Sequence, residues 1–199
     1  IAFINYLQLD YDSAILNLSK FIKLYPSHKD IDYAYYLLAL SYYEQINNEE
    51  LDGSYNELSI QYFNQILNRF PESKYSKDSQ QKIILVKENI AAKHMSIARF
   101  YHKNTKYVAA MNRYKIIIND YSTTKFTPEA LYRLLEIYLT LGLLEEAKKT
   151  ASIIAFNYPG SKWYKYSYDL LINENNPKKI NSNIISKIKN IFKSNENKE

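Results

Sequence analysis

Three histidines, His28, His94 and His102, are the imidazoles of this 199-residue chain. His94 and His102 stand eight residues apart, about two helical turns, so they can share one face. Two imidazoles with no cysteine or carboxylate beside them make a poor metal site, and no metal is expected. His28 falls in a proline-containing junction, where a turn or capping role accounts for it. Adjacent carboxylates occur at Glu49-Glu50 and Glu145-Glu146. The first pair lies in a polar stretch, and the second stands beside Lys148 and Lys149. Both read as salt-bridged surface, not as a general acid and base. The sequence holds no Gly-rich phosphate loop, no Gly-x-Ser-x-Gly elbow and no His-Glu-x-x-His. It also holds no cysteine, which excludes thiol catalysis, a disulfide scaffold, a Cys-ligated zinc and an iron–sulfur cluster. The expectation is a protein that is no enzyme, carries no cofactor and acts through its surface.

The elements that shape that surface follow from composition and repetition. Lys and Arg number 26 against 21 Asp and Glu, a net charge of +5 spread along the chain. That excess is too small and too dispersed to call for a nucleic acid partner. Tyrosine occurs 21 times and arginine only 4 times. Two readings of the tyrosines stay open: the codon bias of a genome rich in A and T, or a tyrosine-lined binding surface. No run approaches the 18 apolar residues of a bilayer-spanning helix, and no signal peptide is visible. The sequence begins at Ile1, inside an apolar pattern, and is expected to be a processed or truncated fragment.

Four junctions share one signature: Tyr25-Pro26-Ser27-His28-Lys29, Phe70-Pro71-Glu72-Ser73-Lys74, Tyr121-Ser122-Thr123-Thr124-Lys125 and Tyr158-Pro159-Gly160-Ser161-Lys162. The aromatic is expected to plug the end of one helix. Proline, lacking an N–H, ends it. Ser73, Thr124 and Ser161 are placed to cap the next helix by accepting an orphan N–H. Small residues flank each junction: Ala34, Ser79, Ala130 and Ser167 eight positions after, Ala14, Ser59, Ala110 and Ala147 twelve before. Small residues at two facing positions, an aromatic between them and a closing proline are the marks of a tetratricopeptide (TPR) unit. The fold class is therefore all-α, a TPR superhelix of antiparallel helix pairs stacked on one another.

The junctions lie 45, 51 and 37 residues apart, against about 34 for a standard unit. Extra length in the first interval fits a polar loop around 47–53. In the second it fits one long helix over about 74–103, with two abutting helices as the alternative. The domain reading is a TPR array over 1–174, with units near 1–26, 30–71, 74–122 and 126–159 and a capping helix near 161–174. Residues 175–199 read as a linker, a short amphipathic basic helix at 183–193 and a disordered tail. That helix either packs on the last repeat or frays, or it makes weak contact with a membrane surface or a partner groove. Stacked helix pairs offer a concave groove to extended segments. Tyr33, Tyr36, Tyr132 and Tyr138, with Tyr42 and Tyr43, lie on first helices of units, which line such a groove, and about half of them are expected in the core.

Two stretches carry a resemblance. One is Phe21-Ile22-Lys23-Leu24-Tyr25-Pro26-Ser27-His28-Lys29-Asp30-Ile31-Asp32-Tyr33; the other is Tyr107-Val108-Ala109-Ala110-Met111-Asn112-Arg113, preceded by Ser96-Ile97-Ala98-Arg99-Phe100-Tyr101. Over about 1–174 the chain resembles the BamD (ComL-like) family, TPR lipoproteins of the outer-membrane β-barrel assembly machine. It departs from that family in lacking the first of five repeats and the lipobox cysteine. The family's long interhelical loop is also shorter here, at Leu51-Asp52-Gly53-Ser54.

The resemblance implies a scaffold at the periplasmic face of the bacterial outer membrane. It would meet the membrane through a lipid anchor that this chain does not contain. Its implied partners are the POTRA domains of a BamA-like barrel insertase, accessory assembly lipoproteins and unfolded outer-membrane proteins. Arg113 matches the family arginine implicated in the link to the insertase, with Asn112, Tyr107 and Lys103 as neighbours on the same hairpin. A solvated surface arginine is the alternative reading. The alternative function is another TPR adaptor, periplasmic or cytoplasmic, that binds peptides or partner helices.

Overall fold

A computed structural model describes residues 1–46 and 54–172. Among these residues the chain forms nine α-helices. They are α1 (Ala2–Leu7), α2 (Tyr11–Leu24), α3 (Ile31–Tyr43), α4 (Ser54–Arg69), α5 (Ser76–Lys103), α6 (Tyr107–Asp120), α7 (Thr127–Thr140), α8 (Leu144–Asn157) and α9 (Lys162–Ile172). The second interval is filled by one continuous helix, the 28-residue α5. The polar loop at 47–53 and everything expected beyond 173, including the 183–193 helix, lie outside the described residues. The chain folds as two compact units, Ile1–Ile90 and a second beginning at Ala91.

The four junctions repeat one backbone arrangement. The aromatic N–H closes the last turn of its helix, as in Tyr25 N to Phe21 O, Phe70 N to Ile66 O, Tyr121 N to Ile117 O and Tyr158 N to Ile154 O. Its carbonyl then accepts the N–H three residues on, from His28, Ser73, Thr124 and Ser161. Proline fits after the aromatic because that position gives no N–H to the pattern. The junction lysine then lies over the following ring in three cases, Lys74 over Tyr75, Lys125 over Phe126 and Lys162 over Trp163, at 4.9–5.4 Å.

The capping expectation holds for one of three positions. Ser161 Oγ accepts the N–H of Tyr164 at the start of α9. Ser73 Oγ accepts the N–H of Tyr75, ahead of α5, and donates to Asp32. Thr124 instead donates backward to the Tyr121 carbonyl, and α7, with Phe126 at its N-cap, has no side-chain cap. Pro128 opens that helix, where its missing N–H costs nothing. Tyr25 also departs from the expected plug: it is mostly exposed and packs against Phe21.

The turns inside the helix pairs repeat as well. A residue with positive φ ends the first helix, Leu9 at 62°, Thr105 at 57° and Gly142 at 71°. The next N–H reaches back five residues, from Asp10 to Asn5, Lys106 to Tyr101 and Leu143 to Tyr138. This is the Schellman closure, which favours glycine because a Cβ is strained there.

The small residues do what close helix packing requires. Ala14, Ser59, Ser79, Ala98, Ala110, Ala130, Ala147 and Ser167 are fully buried, with Ala34 nearly so. In the first unit they sit with Leu18, Leu37, Leu38, Phe63 and Ile66. In the second they surround Met95, Tyr114, Ile117, Leu135, Ile137 and Ile154. Each large side chain buried this way contributes about 2–3 kcal/mol of transfer free energy.

Candidate partner-binding surfaces

Tyr138 is 7 % exposed and belongs to the core of the second unit, so it cannot line a groove. Sequence offered Tyr138 for the groove while expecting about half of these tyrosines in the core, and Tyr138 is one that lies in the core. On a helix as apolar as α7, with Leu131, Leu134, Leu135 and Ile137 around it, a tyrosine is drawn inward with its neighbours. Tyr36 is half-buried and committed: its ring stacks on Tyr75 at 4.6 Å and its hydroxyl donates to Asp78 at 2.6 Å. Burial, then Asp78, pushes its phenol well above the ordinary range. Tyr42 stacks parallel on Tyr62, and Lys82 lies over the ring of Tyr43.

Tyr33 does face an opening. With Phe3, Leu18, Phe21, Leu24 and Leu37 it lines an apolar groove of about 480 Å³ between α1, α2 and α3. His28 and Asp30 stand at its edge, where His28 Nδ1 accepts the Asp30 N–H and its ring meets Phe21. In the second unit Tyr132 is half-buried within an aromatic cluster with Trp163 and Tyr166, and Arg133 lies over Tyr132 and Trp163. Burial, then Glu136, raises the Tyr132 phenol to about 12.

The α5–α6 hairpin carries Lys103, Tyr107, Asn112 and Arg113, and the structure sorts them into two groups. Tyr107 meets the edge of His102, which also lies against Tyr114, the tyrosine at the centre of the core. Lys103 is exposed near that end, in the last turn of α5. Arg113 lies farther along α6, half-buried, with Nη1 3.3 Å from His94 Nδ1. Asn112 beside it is exposed. His94 stacks against Tyr121. The two histidines that sequence set on one face thus serve different partners. Among the described residues no three His, Asp or Glu side chains gather into a metal site.

Sequence reasoning did not find the charged network beside this hairpin. Arg99 on α5 forms a forked pair with Glu129 on α7, Nε to Oε1 at 3.0 Å and Nη2 to Oε2 at 2.6 Å. Arg133 approaches Glu129 at 3.8 Å and bonds Glu136 at 2.8 Å. The signal available was the spacing of Glu129, Arg133 and Glu136 on one helix. Arg113 differs from Arg99 and Arg133: its polar partner is an imidazole and not a carboxylate.

A family model for YfiO, described as an outer membrane lipoprotein, matches residues 1–153. The chain is 46% identical over 171 residues to the outer membrane protein assembly factor BamD of Rickettsia prowazekii. That match covers 86% of this chain and 68% of the relative. It is 40% identical over 167 residues to the BamD of Caulobacter vibrioides, covering 84% of this chain and 55% of that protein. The BamD of Neisseria meningitidis (strain Z2491) is 29% identical over 177 residues, with 66% of its length covered. The chain therefore spans between about half and two thirds of the length of these relatives. No described helix is long and apolar enough to cross a membrane. With most of its length, including every junction up to Tyr121 and the whole α5–α6 hairpin, inside the matched region, the chain belongs to the YfiO family of outer membrane lipoproteins, the family of the BamD assembly factors.

Proposed function

We propose that this protein is a non-enzymatic scaffold of the machinery that assembles β-barrel proteins into the outer membrane. In this reading it works at the periplasmic face and binds the POTRA domains of the barrel insertase through the α5–α6 hairpin. The observation that carries it is the family match across that hairpin, together with the state of Arg113. A half-buried guanidinium whose polar partner is an imidazole and not a carboxylate keeps its charge available to a partner carboxylate. Asn112, Tyr107 and Lys103 would extend the contact along the same hairpin.

The apolar groove beneath Tyr33 supports a second element of the role. Its shape and lining suit an extended apolar segment of a client, such as an unfolded outer-membrane protein. The aromatic cluster at Tyr132 is a further candidate contact. Accessory lipoproteins are the remaining partner class in this reading.

The test is a calorimetric titration of the chain with the POTRA domains of the same organism's insertase, repeated with Arg113→Glu. Saturable binding weakened tenfold or more by the reversal is expected, about 1.4 kcal/mol. Binding indifferent to the reversal would keep the scaffold and move its docking site elsewhere. No binding from a folded, helical chain would favour a different adaptor role.

A further inference from the structure

We propose that His94 is the positioning residue for Arg113, holding its guanidinium in the docking conformation only while the imidazole is neutral. This rests on the reading of the α5–α6 hairpin as the docking surface.

The argument begins with hydrogen-bond inventory. A guanidinium has donors and no acceptor. The 3.3 Å contact between Arg113 Nη1 and His94 Nδ1 therefore requires Nδ1 to bring a lone pair. The ring proton must sit on Nε2, and the imidazole must be neutral. Protonation of Nδ1 would replace an acceptor with a second cation at the same distance. His94 itself is fixed by the Tyr121 ring across the α6–α7 junction. The charged groups facing it are Arg113 and Asp120 from α6 and Lys93 from its own helix. Burial first, then Arg113 and Lys93, lowers its pKa, while Asp120 opposes them.

The sign follows. The neutral form is favoured in the folded protein, so the contact is whole above the ordinary histidine value of 6.5. It is lost as pH falls below that value and through the lowered one. A scaffold with this device would hold its partner more weakly in acid, through one imidazole.

Two measurements test the proposal on the full chain. The first follows the His94 ring resonances by NMR through a pH titration, with and without Arg113→Gln. Removal of the neighbouring cation is expected to raise the His94 pKa, and an unchanged value would overturn the contact. The second measures affinity for the POTRA domains in wild type, Arg113→Glu, His94→Gln and His94→Lys at neutral and acid pH. His94→Gln supplies an uncharged acceptor and is expected to bind as wild type at neutral pH, with a smaller loss in acid. His94→Lys, a permanent cation, is expected to weaken binding about tenfold at both pH values, the worth of one charge-assisted hydrogen bond. If Arg113→Glu weakens binding while His94→Lys does not, the positioning role is wrong and the docking site stands. If Arg113→Glu has no effect, the docking site falls and takes this role with it.

Discussion

Glu129 is the side chain whose loss should be felt most among the charged groups of the second unit. Its residue exposure is 8 %, and its carboxylate takes both prongs of the Arg99 guanidinium, at 3.0 and 2.6 Å. Glu129→Gln keeps the volume but turns one acceptor into an amide donor facing a guanidinium donor. A charge-assisted hydrogen bond is worth about 1.5–3 kcal/mol when both ends are shielded. The Arg99 side chain is 51 % exposed, so water competes at its end and each bond is better set at about 1 kcal/mol. The sum is about 2 kcal/mol of lost stability. Arg99→Gln should cost about as much, because it leaves a nearly buried carboxylate with Arg133 at 3.8 Å as its nearest cation. The double variant should cost less than the two together, with a coupling of about 1 kcal/mol or more.

Urea unfolding followed by circular dichroism gives the global values. Repeat-built chains lose structure region by region, so hydrogen exchange across α7 is the sharper readout. Helices α2 and α3, whose core contains no residue of this network, serve as the internal reference. A loss below about 0.5 kcal/mol for Glu129→Gln, or single effects that simply add, would refute the reasoning.

The repeated turn gives a pair of opposed effects. Thr105→Gly should stabilise by about 1 kcal/mol, by relieving a side chain held at φ 57°. Gly142→Ala should destabilise by about as much although nothing lies within 4 Å of the added Cβ, so thermal melts of the two variants isolate backbone strain. Tyr36→Phe removes the 2.6 Å bond to Asp78 and should cost about 1 kcal/mol in urea, whereas Tyr42→Phe, which keeps its ring stack on Tyr62, should cost less than half of that. Burial raises the phenols of Tyr6, Tyr114 and Tyr132 to about 12 from an ordinary 10. The neutral form is the one the fold favours, so this stability is whole below pH 10 and is lost as pH climbs through 12. Absorbance titration should show these three ionising after the exposed tyrosines; ionisation of all together while the chain stays helical would contradict the burial.

The helix ends were legible because proline and aromatic act on their own backbone. Pro26, Pro71 and Pro159 each remove one donor at a fixed place, and the chain has few other ways to close a helix there. Even Ser122, which keeps its N–H, follows the pattern, since the aromatic before it sets the bonds. Buried alanines were legible from their recurrence. What sequence missed has a different physical origin. Thr124 had a local acceptor, the Tyr121 carbonyl, competing with the cap, and the choice between two bonds of equal span turns on small backbone differences. Leu9 and Thr105 occupy a left-handed turn with residues that do not advertise it. Tyr138 and Tyr33 are both tyrosines on first helices, yet one is core and one lines an opening. Only the neighbouring helix decides between them.

The same distinction explains why candidate contact residues are harder to read than the fold. Arg99 and Glu129 are thirty residues apart in sequence, and nothing local announces that one will neutralise the other. That pairing nevertheless changes what the remaining arginines can do. Arg99 and Arg133 share their charge with Glu129 and Glu136. Arg69 lies over the rings of Tyr35 and Phe70 and bonds the Tyr35 hydroxyl. Arg113 meets an imidazole. A charge already paired inside the fold gains little from a partner's carboxylate, because the new contact must first displace the old one. An arginine positioned by a neutral acceptor has its geometry set and its charge intact, which is the condition for a contact that strengthens only when the partner arrives. By that criterion Arg113 is the better docking arginine of the second unit, and the His94 variants separate its geometry from its charge.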